Sequence, residues 1–426
     1  MRTRTEPASA SLIAAPAPPG ASLAARLITA GWRVQAAGLL AIALMTFFPA
    51  WSHVQEYLFF SLFAVGLAAS HLEGRSLLFP SPLHLPLACL LGWILLSVPF
   101  ATDQAYSFSE WRKLVAKVLL FYWTVIVWRA ARENGTRLPH AFLAVVALGS
   151  LSLSLYAVPD FLERGGTWAD RPVRAQAPSS DYNWLSTYML MTFPLLVGGA
   201  WAANGGARMT YAGIAGLALL AQMLSYTRAG WLALLAQGVA AGLALKRGRL
   251  VIGVLVCALL IVLLLGWLGA LGYHQDTLDP WTLKTRVAVW SLMLHEIADH
   301  PFMGVGYGTN TFMTRLGDHP ETMHARGSHN FFLMVAMGSG IPALLLLLWV
   351  LGTSVTECFR KASPGDHEPF RAAFCFATGL MAVGFAVRNG FDAMFAGSLA
   401  CLFWLLLGAA VAQSRGPVPG SCGTSG

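Results

Sequence analysis

Charged residues are scarce in this sequence. They make up 11% of its 426 residues, where a soluble globular domain carries about 25%. Too little polar surface remains to cover a water-soluble body of this size, so that class is excluded. Cysteine is sparse as well. The six are Cys89, Cys257, Cys358, Cys375, Cys401 and Cys422, and no two form a CxxC pair, which argues against a disulfide framework and a zinc site. His295 and His300 lie close to Glu296 and Asp299 but at no metal-ligand spacing, so no metal is expected. The net charge of +8 is not gathered into a dense basic run interleaved with aromatics, so nucleic acid is not an expected partner. The glycine-rich segment GVGYGTN, from Gly304 to Asn310, lacks the lysine of a nucleotide-binding loop. It reads as a tight turn that lets two backbones approach closely, and no cofactor is implied. Residues 1–31, rich in Ala, Pro and Ser, lack a signal-peptide core running into a cleavage site and read as a disordered cytoplasmic tail.

Apolar residues, by contrast, make up 56% of the chain, and they come in long blocks. A bilayer core about 30 Å thick needs roughly 20 apolar helical residues to cross it. Lipid offers no partner for a bare peptide group, so each block must be a helix bonded within itself. The blocks run approximately over 34–51, 54–71, 84–100, 114–129, 141–159, 184–203, 209–226, 229–245, 250–272, 331–352, 372–388 and 394–412. The expectation is therefore an all-α polytopic membrane protein of about twelve transmembrane helices. They form a single domain over 32–413, followed by a cytoplasmic tail over 414–426. With the N-terminus inside, the inner connections hold Arg75, then Arg129, Arg132 and Arg137, then Arg208, then Lys246, Arg247 and Arg249, then Arg360, Lys361 and Arg371. Every one is positive, as cytoplasmic loops should be.

Two outer loops are long, about 160–183 and about 273–330, and loops of such length are commonly functional. The second contains an apolar pattern at helical spacing, read as an amphipathic helix from about Trp281 to Ala298 lying along the outer membrane surface. It should stop near His300, because Pro301 disfavours helix in the residue before it. These loops also carry positive charge that the topology rule does not require: Arg164, Arg171, Arg174, Lys284, Arg286, Arg315 and Arg326. Arg228 sits in the tight outer turn SYTRAGW. Any one arginine here suits snorkelling to lipid headgroups or pairing with a loop carboxylate. Arg228 and Arg286 together suit a membrane-bound diphosphate, because guanidinium presents a fork of donors matched to phosphate oxygens. His329, with Asn330 beside it, is the last polar step before a span. A lone histidine is more often structural than catalytic. At the junction of the longest outer loop with a helix, however, a neutral imidazole is placed to take a proton from a hydroxyl.

Three segments together resemble the O-antigen ligase and O-antigen polymerase superfamily. TRAGWLALL around Arg228 is similar to its arginine turn opening a span. TRVAVWSLMLHEIADHPFMGVGYGTN is similar to its Arg-x-x-x-Trp helix followed by His-Pro and a glycine turn. SHNFFLMVAMGSGIPALLLL is similar to its His-Asn motif and following helix. The motifs span about 125 residues of the C-terminal half, and the N-terminal half matches only as a set of spans. The resemblance implies a metal-independent, inverting glycosyltransferase of a bacterial inner membrane with its site facing the periplasm. Its donor is a glycan on undecaprenyl diphosphate, and a ligase passes that glycan to a sugar hydroxyl of the lipid A core. Arg228, Arg286 and His329 match the essential positions. Arg174, Arg326, Asn330, Arg388 and Asp392 are the expected substrate-binding residues. The first outer loop departs from the family pattern, with Pro178 and Asn183 apart where a Pro-Asn pair is usual. Alternatives are a polymerase or a protein O-oligosaccharyltransferase of the same superfamily and, from another class, a membrane transporter. A transporter should show broken helices or ionisable residues near the bilayer midplane.

Overall fold

The computed structural model describes residues 23–74, 76, 79–133, 138–166, 173–178, 180–270, 280–317, 327–362 and 368–413. Among these residues there are fourteen α-helices and no strand. The first nine are α1 (Leu23–Met45), α2 (Ser52–Leu72), α3 (His84–Ser97), α4 (Gln104–Glu133), α5 (Leu138–Glu163), α6 (Tyr182–Ala202), α7 (Gly205–Leu224), α8 (Arg228–Ala244) and α9 (Gly248–Ala270). They are followed by α10 (Pro280–Asp299), α11 (Thr309–Leu316), α12 (Phe331–Lys361), α13 (Pro369–Asn389) and α14 (Gly397–Ala412). Each of the twelve apolar runs coincides with one helix; α10 and α11 are the helices of the long second loop. Seven helices (α1, α4, α5, α6, α7, α12 and α13) are long and apolar enough to cross a membrane, and α3, α9 and α14 are shorter apolar helices. The protein is an all-α polytopic membrane protein.

Helix boundaries differ from the apolar runs where helix formers continue a run into polar sequence. α1 reaches back to Leu23, into the stretch read as tail, because LAARLITA is built largely of strong helix formers. α4 starts at Gln104, well before the run at 114–129. Its charged first turns are tied down in part by Lys113, whose Nζ donates to Glu110 at 2.7 Å.

Centrally, α6 packs on α7 and α13, α14 on α4, and α12 on α3 and α13. α14 is buried on every face from Leu402 to Ala412, as an apolar helix with no polar stripe must be inside a bundle. α9 instead exposes Ile252, Leu255, Leu259 and Leu260, a surface that suits lipid.

α12 is broken. Ser339 (φ −135°, ψ 17°) and Gly340 (φ 83°, ψ 170°) leave the helical conformation, just ahead of Pro342, which has no N–H to give the preceding turn and would crowd its carbonyl. The freed backbone groups are taken up by the segment that follows α10. Ile341 N–H donates to Pro301 O at 2.8 Å, Val305 N–H to Met337 O at 2.9 Å and Gly306 N–H to Gly338 O at 2.9 Å. Trp93 Nε1 donates to Ser339 O at 3.0 Å and Ser97 Oγ to Ser339 Oγ at 2.9 Å. Non-helical backbone within a membrane bundle is tolerated where protein satisfies it in this way. Glycine is required at the crossing: a Cβ on Gly340 would lie 1.9 Å from Phe302 O, and one on Gly304 2.5 Å from Met337 O. The close backbone approach expected of the GVGYG segment is thus an approach to the break in α12.

Candidate functional site

Three elements at one end of the bundle converge on Asp392. The first joins the second loop to α12. Asn330 caps α12, its Oδ1 accepting from Phe332 N–H at 3.0 Å and Leu333 N–H at 3.1 Å. Asparagine is among the best residues for that task. His329, one step earlier, has a left-handed backbone at φ 49°, a conformation uncommon outside glycine and frequent at functional positions. The His-Asn pair is therefore a strained residue followed by a helix cap.

The second element is α10, which ends at Asp299, directly before His300-Pro301 as expected. Val289, Met293 and Ile297 form its buried stripe, and the helix packs on α12. Trp290 Nε1 donates to Ser328 O at 3.2 Å, pinning the helix to the residue before His329. Arg286 lies one turn earlier on the same face, and its Nη2 stands 3.6 Å from Asp392 Oδ1. That geometry explains the Arg-x-x-x-Trp spacing.

The third is the turn between α13 and α14. Asp392 N–H bonds back to Arg388 O at 3.2 Å, and Asn389 Oδ1 accepts from Met394 N–H at 2.9 Å. The carboxylate of Asp392 is thereby folded onto Arg388, whose Nη1 donates to Asp392 Oδ2 at 2.5 Å. Arg388 has no exposed side-chain surface and Asp392 is 5% exposed. His329 Nδ1 completes the cluster, 2.9 Å from Asp392 Oδ1.

Burial pushes the Asp392 carboxyl up, but the bond from His329 and the charges of Arg388 and Arg286 outweigh it and hold the group below the ordinary carboxylate range. The ionised carboxylate only accepts hydrogen bonds, so Nδ1 of His329 carries the proton and a neutral ring keeps its lone pair on Nε2. His329 is 32% exposed and Arg286 22%, so both remain reachable. The Nε of Arg286 is buried with no hydrogen-bond partner. Two arginines around one carboxylate leave a positive surplus that favours an anionic ligand.

Arg228 and Arg174 lie on elements that meet the start of α6. Arg228 is the first residue of α8, after Tyr226 in a second left-handed residue at φ 48°. Gly230 packs so close to α6 that a Cβ there would lie 2.3 Å from Ser186 Oγ, which sets the Arg228 turn beside the first turns of α6. Arg174 stacks on Tyr182, its guanidinium carbon 4.4 Å from the ring centroid. Its loop is tied to α7 by Ala175 N–H donating to Leu224 O at 2.9 Å. Asn330 serves as the cap, and Arg326 lies outside the described residues. Geometry adds Asn183, whose Oδ1 accepts from Arg388 Nη2 at 2.9 Å, and Trp290. The i, i+4 spacing of Arg388 and Asp392 is a local signal that fits their ion pair; nothing local marks Asn183 as its third member.

A helical membrane protein with a buried ion-pair cluster and two reachable cationic or imidazole side chains at one end of the bundle is the class that fold and site define. Residues 213–348 match the model of the family described as O-Antigen ligase. That match covers about a third of the chain and supports its likeness to the O-antigen ligase and polymerase superfamily. Among curated proteins nothing matches the chain. The matched region contains Arg228, Arg286 and His329; Asn183, Arg388 and Asp392 come from outside it and complete the cluster in space.

Proposed function

We propose that this protein is an O-antigen ligase-like glycosyltransferase that moves a glycan from undecaprenyl diphosphate to a sugar hydroxyl of a lipid A-core acceptor. The observation that carries the reading is the bond between His329 Nδ1 and Asp392 Oδ1 at 2.9 Å, beside a reachable Arg286. Nε2 of His329 accepts the proton of the acceptor hydroxyl, and Asp392 stabilises the imidazolium that forms. The hydroxyl oxygen bonds to the anomeric carbon as the carbon–oxygen bond to the diphosphate breaks, with inversion. The lipid diphosphate departs with the electron pair, and Arg286 and Arg228 meet its developing charge. These guanidinium groups supply the countercharge without calling for a metal, and a diphosphate leaves readily without a general acid. Arg174 borders the site on the first-loop side, while Asn330 and the buried Arg388 hold its frame. The positive inner connections support a bacterial inner-membrane protein with cytoplasmic termini and the site facing the periplasm.

A polymerase or a protein O-oligosaccharyltransferase would use the same donor chemistry with another acceptor, so purified protein given lipid-linked glycan with and without lipid A core separates them. The break in α12 is a feature that transporters share. Here, however, the carbonyls of Met337, Gly338 and Ser339 and the N–H of Ile341 are bonded to protein, not presented to an ion, which favours the enzyme. The test is His329→Ala in purified, lipid-reconstituted protein. Transfer per donor-binding molecule should fall by about 10² to 10⁴-fold, the usual worth of a general base, with donor binding retained. Normal turnover in that variant would overturn the proposal.

A further inference from the structure

Arg388 divides its fork. Nη1 donates to Asp392 Oδ2 at 2.5 Å, and Nη2 donates to Asn183 Oδ1 at 2.9 Å. A guanidinium beside a carboxylate commonly takes both oxygens, fork on fork. That arrangement here would occupy Asp392 Oδ1, the oxygen that His329 uses. We propose that Asn183 is a positioning residue for glycan transfer: by engaging Nη2 of Arg388, it leaves Asp392 Oδ1 to His329. The proposal rests on the reading of His329 as the base.

Asn183 is well placed to do this because its own orientation is fixed. It lies in the first turn of α6, which Asp181 caps. Asp181 Oδ1 accepts from Asn183 N–H at 2.9 Å, and Asp181 Oδ2 lies 3.5 Å from Asn183 Nδ2. The amide nitrogen thus faces a carboxylate that only accepts, and the amide oxygen faces a guanidinium that only donates. That pairing decides which way the amide points. The resulting chain alternates acceptor and donor from Asn183 through Arg388 and Asp392 to His329, joining α6, α13, the turn after it and the start of α12. The other charged groups around it are Arg286 on α10, Arg174 and Asp181 ahead of α6, and Arg228 at the start of α8.

The experiment compares Asn183→Ala and Asn183→Asp with Asp392→Asn in lipid-reconstituted protein, using lipid-linked glycan as donor. Asn183→Ala lets Nη2 turn onto Asp392 Oδ1 and displace His329. Its kcat should fall by about 10 to 100-fold, the range seen when a supporting partner of a working side chain is lost. Donor KM should stay within about twofold, the mark of an interaction made only in the transition state. The acid limb of the pH–rate profile should move to lower pH, because the imidazolium has lost its carboxylate. Asn183→Asp keeps an oxygen facing Nη2 and should recover most of kcat, while its added negative charge moves the acid limb to higher pH. A structural role alone predicts lower yield for both variants and no movement of either limb. If Asn183→Ala does not accumulate in the membrane, Asn183→Ser, whose hydroxyl is too short to reach Nη2, takes its place. Slow Asp392→Asn with normal Asn183→Ala overturns this inference and leaves the base intact. Normal turnover in both overturns the base itself.

Discussion

Replacing Asp392 by asparagine tests the centre of the cluster with almost no change of volume. Two donors and a further cation converge on that carboxylate: His329 Nδ1 at 2.9 Å and Arg388 Nη1 at 2.5 Å donate to it, and Arg286 Nη2 stands 3.6 Å away as an ion pair. An amide offers one accepting oxygen and one donating nitrogen. Arg388 has no exposed surface and cannot turn to water, so it should keep the oxygen. The amide nitrogen then faces Nδ1 of His329, which must become an acceptor, and the ring proton moves to Nε2. A neutral ring in that tautomer no longer presents a lone pair to the acceptor hydroxyl. The expected loss in kcat is about 10² to 10⁴-fold, equivalent to roughly 2.7 to 5.5 kcal/mol of transition-state stabilisation. Stability should fall too, since breaking one side of a buried ion pair costs about 3 to 5 kcal/mol, lessened here by the retained oxygen. Single-turnover transfer from lipid-linked glycan in nanodiscs, counted per bound donor, separates the two effects. Donor affinity should hold or improve, because Arg286 is released from the carboxylate. A normal single-turnover rate would refute the tautomer argument. The sign with pH follows from the same carboxylate. Asp392 is held below its ordinary value of 3.8, so its contribution is fully present above that value and is lost as pH falls through the lowered one. The pairs of Asp392 with Arg388 and Arg286 therefore persist throughout the neutral range.

Other outcomes are expected. Arg286→Lys keeps the charge and loses the planar fork; it should lose most activity while remaining folded and inserted, and near-normal turnover would reduce Arg286 to a point charge. Gly340→Ala places a Cβ 1.9 Å from Phe302 O at a φ of 83°, so it should unzip the segment at 301–306 and lower the thermal unfolding temperature in detergent; an unchanged temperature would contradict the described crossing. In a background without the natural cysteines, Arg174→Cys and Arg315→Cys should react with an impermeant thiol reagent added outside spheroplasts, and Arg247→Cys should not; labelling at position 247 would reverse the orientation.

Much of the helical framework was legible because lipid imposes a strong code. Twelve apolar runs became twelve helices, and α10 ended at Asp299 for the reason that His300-Pro301 announces. Boundaries were less legible. α4 extends through Arg112 and Lys113 because helix propensity and an i, i+3 pair with Glu110 continue what hydropathy stops. Of the candidate residues, Arg286, His329, Arg388 and Asp392 meet in space. The role of Asp392 as their shared acceptor did not follow from spacing, since 63 residues separate it from His329. Only the i, i+4 step to Arg388 is local.

The break in α12 shows why such a site is hard to read in one dimension. Gly338, Ser339, Gly340 and Pro342 predict a weak helix, but not which backbone fills the gap. That depends on the segment at Gly304 and Gly306, some thirty residues earlier, and on Gly304 and Gly338 lacking the side chains that would collide across the crossing. The crossing anchors both ends of the path between α10 and the start of α12: Val305 and Gly306 bond to Met337 and Gly338, while Trp290 bonds to Ser328. His329 stands between these two anchors in a left-handed conformation that costs roughly 1 to 3 kcal/mol. Such a conformation persists only where its surroundings over-determine it, and here the Asn330 cap, the Trp290 bond and the Asp392 carboxylate do so together. Rigid attachment on both sides makes the distance from His329 to Arg286 a property of the fold rather than of a flexible loop, which is the condition for a base and a phosphate-binding group to act on the same bond.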